Sequence, residues 1–172
     1  MTQMGGNTIK LAEHRIFSDS FKPLYSEGMS LVEETAEYLD RDGRAQAKGL
    51  SRAAATLYAA ESMRLTTRLM QIASWLLLQR AANSGEMTFD QVASEKSKVR
   101  LDTASAHAET AGWDELPGPF RALVNHSLRL QTRVRRMDEE IYGGAKGIYP
   151  PAPDTNPVSD QINLLKTAFG RG

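Results

Sequence analysis

Residues 68–81 read RLMQIASWLLLQRA. From Ile72 to Leu78 no residue is charged, and five of the seven are bulky and apolar. In a helix this run puts apolar side chains on every side of the rod, and such a helix must be buried all round. A membrane span needs roughly 20 mostly apolar residues. This stretch is shorter and is bracketed by Arg68 and Arg80. The segment therefore reads as the middle of a long bundle helix, enclosed by its own chain or by a second copy.

Working outward, that helix begins near Arg44 or Ser51 and runs to about Asn83, with Gly85 as its stop. At 1.5 Å per residue it is ~50–60 Å long. Leu57, Leu65, Leu69, Ile72 and Leu76 form one apolar face. Met63, Met70 and Leu77 lie on another, and Trp75 and Leu78 lie between or beyond them. Two neighbouring helices bury about two faces. The third is closed by the short helix that follows or by a homodimer partner, so Met63, Met70, Trp75, Leu77 and Leu78 are the candidate dimer or cargo interface.

Upstream, Phe21, Leu24, Tyr25, Gly28, Leu31, Val32, Thr35 and Leu39 recur at helical spacing. Ser20 suits an N-cap, Pro23 then falls in the first turn, and Gly43 offers a left-handed stop. The spacing predicts a helix over 20–42. Downstream, Thr88 followed by Gln91 has the capping-box form and predicts a short helix over 89–99. DTASAHAETAGWDELPG then reads as a loop pinned by Trp113. The last long helix starts near Pro117 or Pro119. It carries Phe120, Leu123, Ser127, Leu130, Val134, Met137 and Ile141 at steps of three and four, and ends at Tyr142. Residues 1–16 lack a pattern and are expected to be a flexible N-terminus. Residues 17–143 form the bundle domain. Residues 144–172 hold the Pro-broken AKGIYPPAPDTNPV and read as a disordered tail. At its end Ser159 suits the cap of a short helix with Ile162, Leu165 and Phe169 on one face, a candidate docking motif. The expected fold is an all-α three-helix bundle with one long central helix, a short extra helix, a disordered C-terminal tail and a homodimeric assembly.

Composition limits the chemistry. The chain has 172 residues, no Cys, and 21 basic against 21 acidic side chains. The missing thiols exclude disulfides, cysteine nucleophiles and cysteine-bound metal, and they suit a reducing cytoplasm. Neutrality gives no global pull toward nucleic acid. The start, MTQMGGNTIKLAEH, has no signal-peptide form. Charge is sorted locally: residues 18–42 carry seven acids and two bases, residues 44–83 six bases and one acid. These charges flank a bundle seam or mark a partner-binding face. His14, His107 and His126 sit in no ligand motif, and no Glu-x-x-His pair of a di-iron bundle occurs. Arg133, Arg135 and Arg136 are followed by Asp138, Glu139 and Glu140, which can neutralise them at helical spacing. No cofactor, metal site or catalytic constellation is read. A binding protein fits better than an enzyme: a rigid helical body, a flexible linker and a short apolar motif.

EHRIFSDSFKPLYSEGMSLVEETAEYLD, TTRLMQIASWLLLQRAANSGEMT and RVRRMDEEIYGG, spread over residues 13–144, resemble the RcdA family, regulators of CtrA degradation in alphaproteobacteria. The PPAP linker and terminal INLLKTAFGR also fit. These are whole-helix resemblances without a catalytic signature. The resemblance implies a dimeric helical bundle with a disordered tail that serves as a non-enzymatic adaptor of the ClpXP protease. It implies a hierarchy in which a CpdR-like response regulator primes ClpX, the adaptor brings cargo such as TacA, and a PopA-like adaptor with bound cyclic di-GMP extends the reach to CtrA. It also implies a cytoplasmic protein transiently at a cell pole. The alternative is a dimeric helical scaffold or localisation factor without a protease link.

Overall fold

The computed structural model describes residues 5–143, with side chains from residue 19 onward. Among the described residues five α-helices follow one another: α1 (Gly5–Asp40), α2 (Asp42–Ala47), α3 (Arg52–Ser84), α4 (Phe89–Lys96) and α5 (Gly118–Tyr142). A 3₁₀ turn at Trp113–Glu115 precedes α5. Helices α1, α3 and α5 pack into the bundle that the sequence predicts, and among the described residues there is no strand.

The local signals explain most boundaries. Ser51 caps α3, its hydroxyl accepting from the Ala54 N–H, and Gly85 ends the helix at φ 75°, a left-handed conformation only glycine takes freely. Thr88 and Gln91 close both bonds of the capping box at the start of α4. Two expectations at α1 are corrected. The helix begins at Gly5, not near Ser20, so Pro23 lies inside it, where its ring leaves one carbonyl of the ladder unbonded. Gly43 is not a left-handed stop. It lies inside α2, buried, where a Cβ would fall 2.6 Å from the Tyr58 hydroxyl and 2.7 Å from the Tyr38 ring. Its smallness is used for packing.

The core runs along α3. Leu65, Ile72 and Leu76 are fully buried against Leu24 and Leu31 of α1 and against Phe120, Leu130 and Val134 of α5. Gly28 lets α1 approach α3, since a Cβ there would collide with Leu76. Tyr38, Tyr58 and Phe120 cluster near one end of the core, with Tyr58 and Phe120 ring centroids 4.6 Å apart. Of the two ways to close the third side of α3, the short helix supplies part: Val92 and Lys96 of α4, with Val99 and Leu101 after it, join the same core. The expected charge seam between the first two long helices is also corrected. Among the described residues the interhelix ion pair of α1 runs to α5, from Glu27 to Arg133, and the His126 ring nitrogen hydrogen-bonds to the same carboxylate at 2.9 Å. Arg80 of α3 instead donates to the Tyr25 hydroxyl.

Candidate protein-interaction site

Helix α3 is covered unevenly. Met63, Met70 and Leu77 are seven residues apart and drift only ~20° per step around a straight helix, so they form one stripe. Met63 is 72% exposed, while Met70 and Leu77 are half-buried. Ala59, Thr66 and Ala73 fall beside them at three- and four-residue spacing, exposed or half-buried. Between Ala53 and Gln79 the charged residues of α3 are Glu61, Arg64 and Arg68, and two of these three are buried. The outer face is thus long, weakly polar and lined with adaptable methionine.

Trp75 and Leu78 do not join this stripe. They are 1% and 7% exposed, inside the protomer's own core, and cannot serve as a free interface. The reason lies in α4 and the end of α5. Trp75 donates its indole N–H to Asp138 at 2.7 Å. Lys96 reaches over the Trp75 ring and the Tyr142 ring, 4.2 and 3.7 Å from their centroids, and donates to Gln79 Oε1 at 2.6 Å. The Tyr142 hydroxyl donates to the same Gln79 oxygen, and Phe89 stacks on Tyr142. Burial pulls the Lys96 ammonium down to about 7, opposed by Asp138 3.9 Å away. Burial likewise raises the Tyr142 hydroxyl to about 12. This cluster fastens α4 to α3 and to the last turn of α5. No periodicity in the sequence reveals that Lys96 and Asp138 meet.

A second buried polar set was equally hidden. Arg68 is fully buried. Its Nε donates to the Thr103 carbonyl, and its two terminal nitrogens donate to the Ser127 and Ser105 hydroxyls. Burial lowers the Arg68 pKa from its ordinary value, partly countered by Glu61. Glu61, also fully buried, accepts from the Ala106 N–H and from Arg64. Gln71 accepts from the Thr103 hydroxyl, and Gln131 donates to the Thr103 carbonyl. Together they bind residues 102–106, an irregular strap, onto α3 and α5. Between the strap and α5 lies an open cleft of about 480 Å³, lined by His107, Trp113, Asn125, Leu128, Gln131 and Arg135 among others.

Comparison with known proteins places this architecture. A family model described as "Protein of unknown function (DUF1465)" matches residues 12–169. A solved structure of RcdA from Caulobacter crescentus CB15 is similar at 46% sequence identity, covering 72% of this chain and 91% of that one, with a TM-score of 0.57. The chain belongs to the RcdA family. No curated protein matches it. The family-model match extends through residue 169 and takes in Ile162, Leu165 and Phe169, which lie outside the described residues. Among the described residues no helix is long and apolar enough to cross a membrane.

Proposed function

We propose that this RcdA-family chain is a non-enzymatic adaptor for regulated proteolysis. Two parts share the work. The α3 stripe of Met63, Met70 and Leu77 holds a protein, either the twin subunit or cargo. The tail, through Ile162, Leu165 and Phe169, engages a ClpXP complex primed by a CpdR-like response regulator. Cargo is of the TacA and CtrA kind, the latter with a PopA-like adaptor. Tethering alone then speeds destruction, because a linked cargo sees an effective concentration near millimolar. The observation that carries the reading is the 46% identity to RcdA across most of both chains. The exposed, nearly uncharged face of α3 supports it, since scattered apolar residues are ordinary but a continuous stripe marks an interface.

The test is a reconstituted degradation assay with ClpXP, the priming regulator and labelled cargo. It compares the full chain with a chain ending at Gly144. The full chain is expected to accelerate cargo loss, and the shortened chain is not. Equal acceleration by both removes the tail from the mechanism. No acceleration by either favours a dimeric scaffold or localisation factor.

A further inference from the structure

The strap of residues 102–106 is held on one side only. Thr103, Ser105 and Ala106 are tied inward to Arg68, Gln71, Gln131 and Glu61. Among the described residues, the backbone groups of Asp102, Ala104 and Ser105 meet no protein partner, and Ala104 is exposed. A non-helical stretch whose backbone groups are left unpaired on one side can hydrogen-bond to another segment laid along it. Two fully buried charged side chains keep it in place, so the edge is rigid before anything binds, which lowers the ordering cost. The cleft beside it has a sign. Asp102 is neutralised by Arg100 at 2.9 Å. Arg135 and His107 are exposed and have no ion-pair partner among the described residues. The cleft therefore offers an acid-seeking end at Arg135 and an apolar floor at Leu128 and the strap alanines.

We infer that the cleft is the resting place of the chain's own segment Asp160–Leu165, which lies extended along the strap with Asp160 on Arg135. Three observations fit this occupant. The first is charge: between Lys146 and Lys166 the only ionisable side chains beyond Tyr149 are Asp154 and Asp160. The second is reach. Arg135 stands eight residues before Gly143, ~12 Å along α5, and the 17 residues from Gly143 to Asp160 span at most ~60 Å. The third is pattern. A chain returning from the end of α5 meets Arg135 first, then Leu128 and Asn125, which lie ~10 and ~15 Å further along the helix. Extended chain turns Asp160, Ile162 and Leu164 to one side over ~13 Å, so an acid on Arg135 is followed by an apolar side chain along Leu128. An isolated helix in this region would have about eleven residues and be marginal alone, so an extended docked form competes with it. Docking covers Ile162. The consequence, though not the docking itself, rests on the adaptor reading: Ile162, one of the delivery residues, stays hidden until a partner displaces it.

The chain has no cysteine, so disulfide trapping is clean. In the full chain, Ala104→Cys with Asn163→Cys is expected to oxidise within one chain at least about tenfold faster than the control pair Met63→Cys with Asn163→Cys. Adding Arg135→Glu is expected to erase that advantage, and adding Asp160→Lys to the same chain to restore it. Equal rates for the two pairs overturn the proposal. A disulfide that forms only between chains also overturns it, in favour of a second copy as occupant. Fast trapping in a chain that fails to promote degradation would strike the adaptor reading and leave the docking intact.

Discussion

Lys96 shows how a single buried amine sets a pH dependence. Its folded pKa is about 7, against an ordinary lysine value of 10.5. Between these values the unfolded chain holds a proton that the folded chain does not, so stability rises with pH across that window. Asp138 from α5, with the rings of Trp75 and Tyr142, is what faces the amine. Urea unfolding at pH 7 and pH 9 should show the wild-type midpoint rising relative to Lys96→Met, which cannot titrate; parallel behaviour of the two would remove Lys96 as the source. Arg68 makes the opposite case, a charge satisfied by three oxygens. Arg68→Met leaves the Thr103 carbonyl and the Ser105 and Ser127 hydroxyls without their charged donor and is expected to cost ~1–3 kcal/mol. The loss would be read by chemical denaturation, together with faster proteolysis within residues 102–112. These two residues mark the limit of what the sequence discloses. Arg68 and Lys96 look like any surface base because their partners are 35 to 59 and 17 to 42 positions away.

The helices are legible where local chemistry decides them. Ser51, Gly85 and the Thr88–Gln91 box act through bonds within four residues, and the structure places all three as the sequence implies. Phe120, Leu123, Ser127, Leu130 and Val134 are buried at the predicted steps along α5. The start of α1 was illegible because Ser20 and Pro23 mimic a helix start, whereas the helix runs through both. Gly43 misleads for a related reason: glycine serves both left-handed turns and close packing, and only the rings of Tyr38 and Tyr58 decide which. The same distinction gives a prediction for Gly28, where α1 meets Leu76. Gly28→Leu gains helix propensity but drives a large side chain into a filled contact, and a net loss of ~1–3 kcal/mol is expected in thermal or urea unfolding. Unchanged or higher stability would mean that α1 and α3 are not in close contact there.

For the molecule as a whole, the opening stretch of α3 answers its own question in two parts. Most of its girth is closed within the chain, by α1, α5 and the short α4, which is why Trp75 and Leu78 are interior. Sequence periodicity could not assign them, because it counts faces of one helix and not the neighbours that arrive from 20 to 60 residues away. What α4 leaves open is the stripe of Met63, Met70 and Leu77, and the central claim is that this stripe binds protein. Analytical ultracentrifugation of the full chain tests it most directly. The wild type at micromolar concentration is expected to sediment at twice the chain mass. Met70→Asp with Leu77→Asp is expected to sediment as a monomer with its helix content unchanged. A wild type that stays monomeric, or a double variant that dimerises as well as the wild type, would contradict the assignment of that face to the twin subunit.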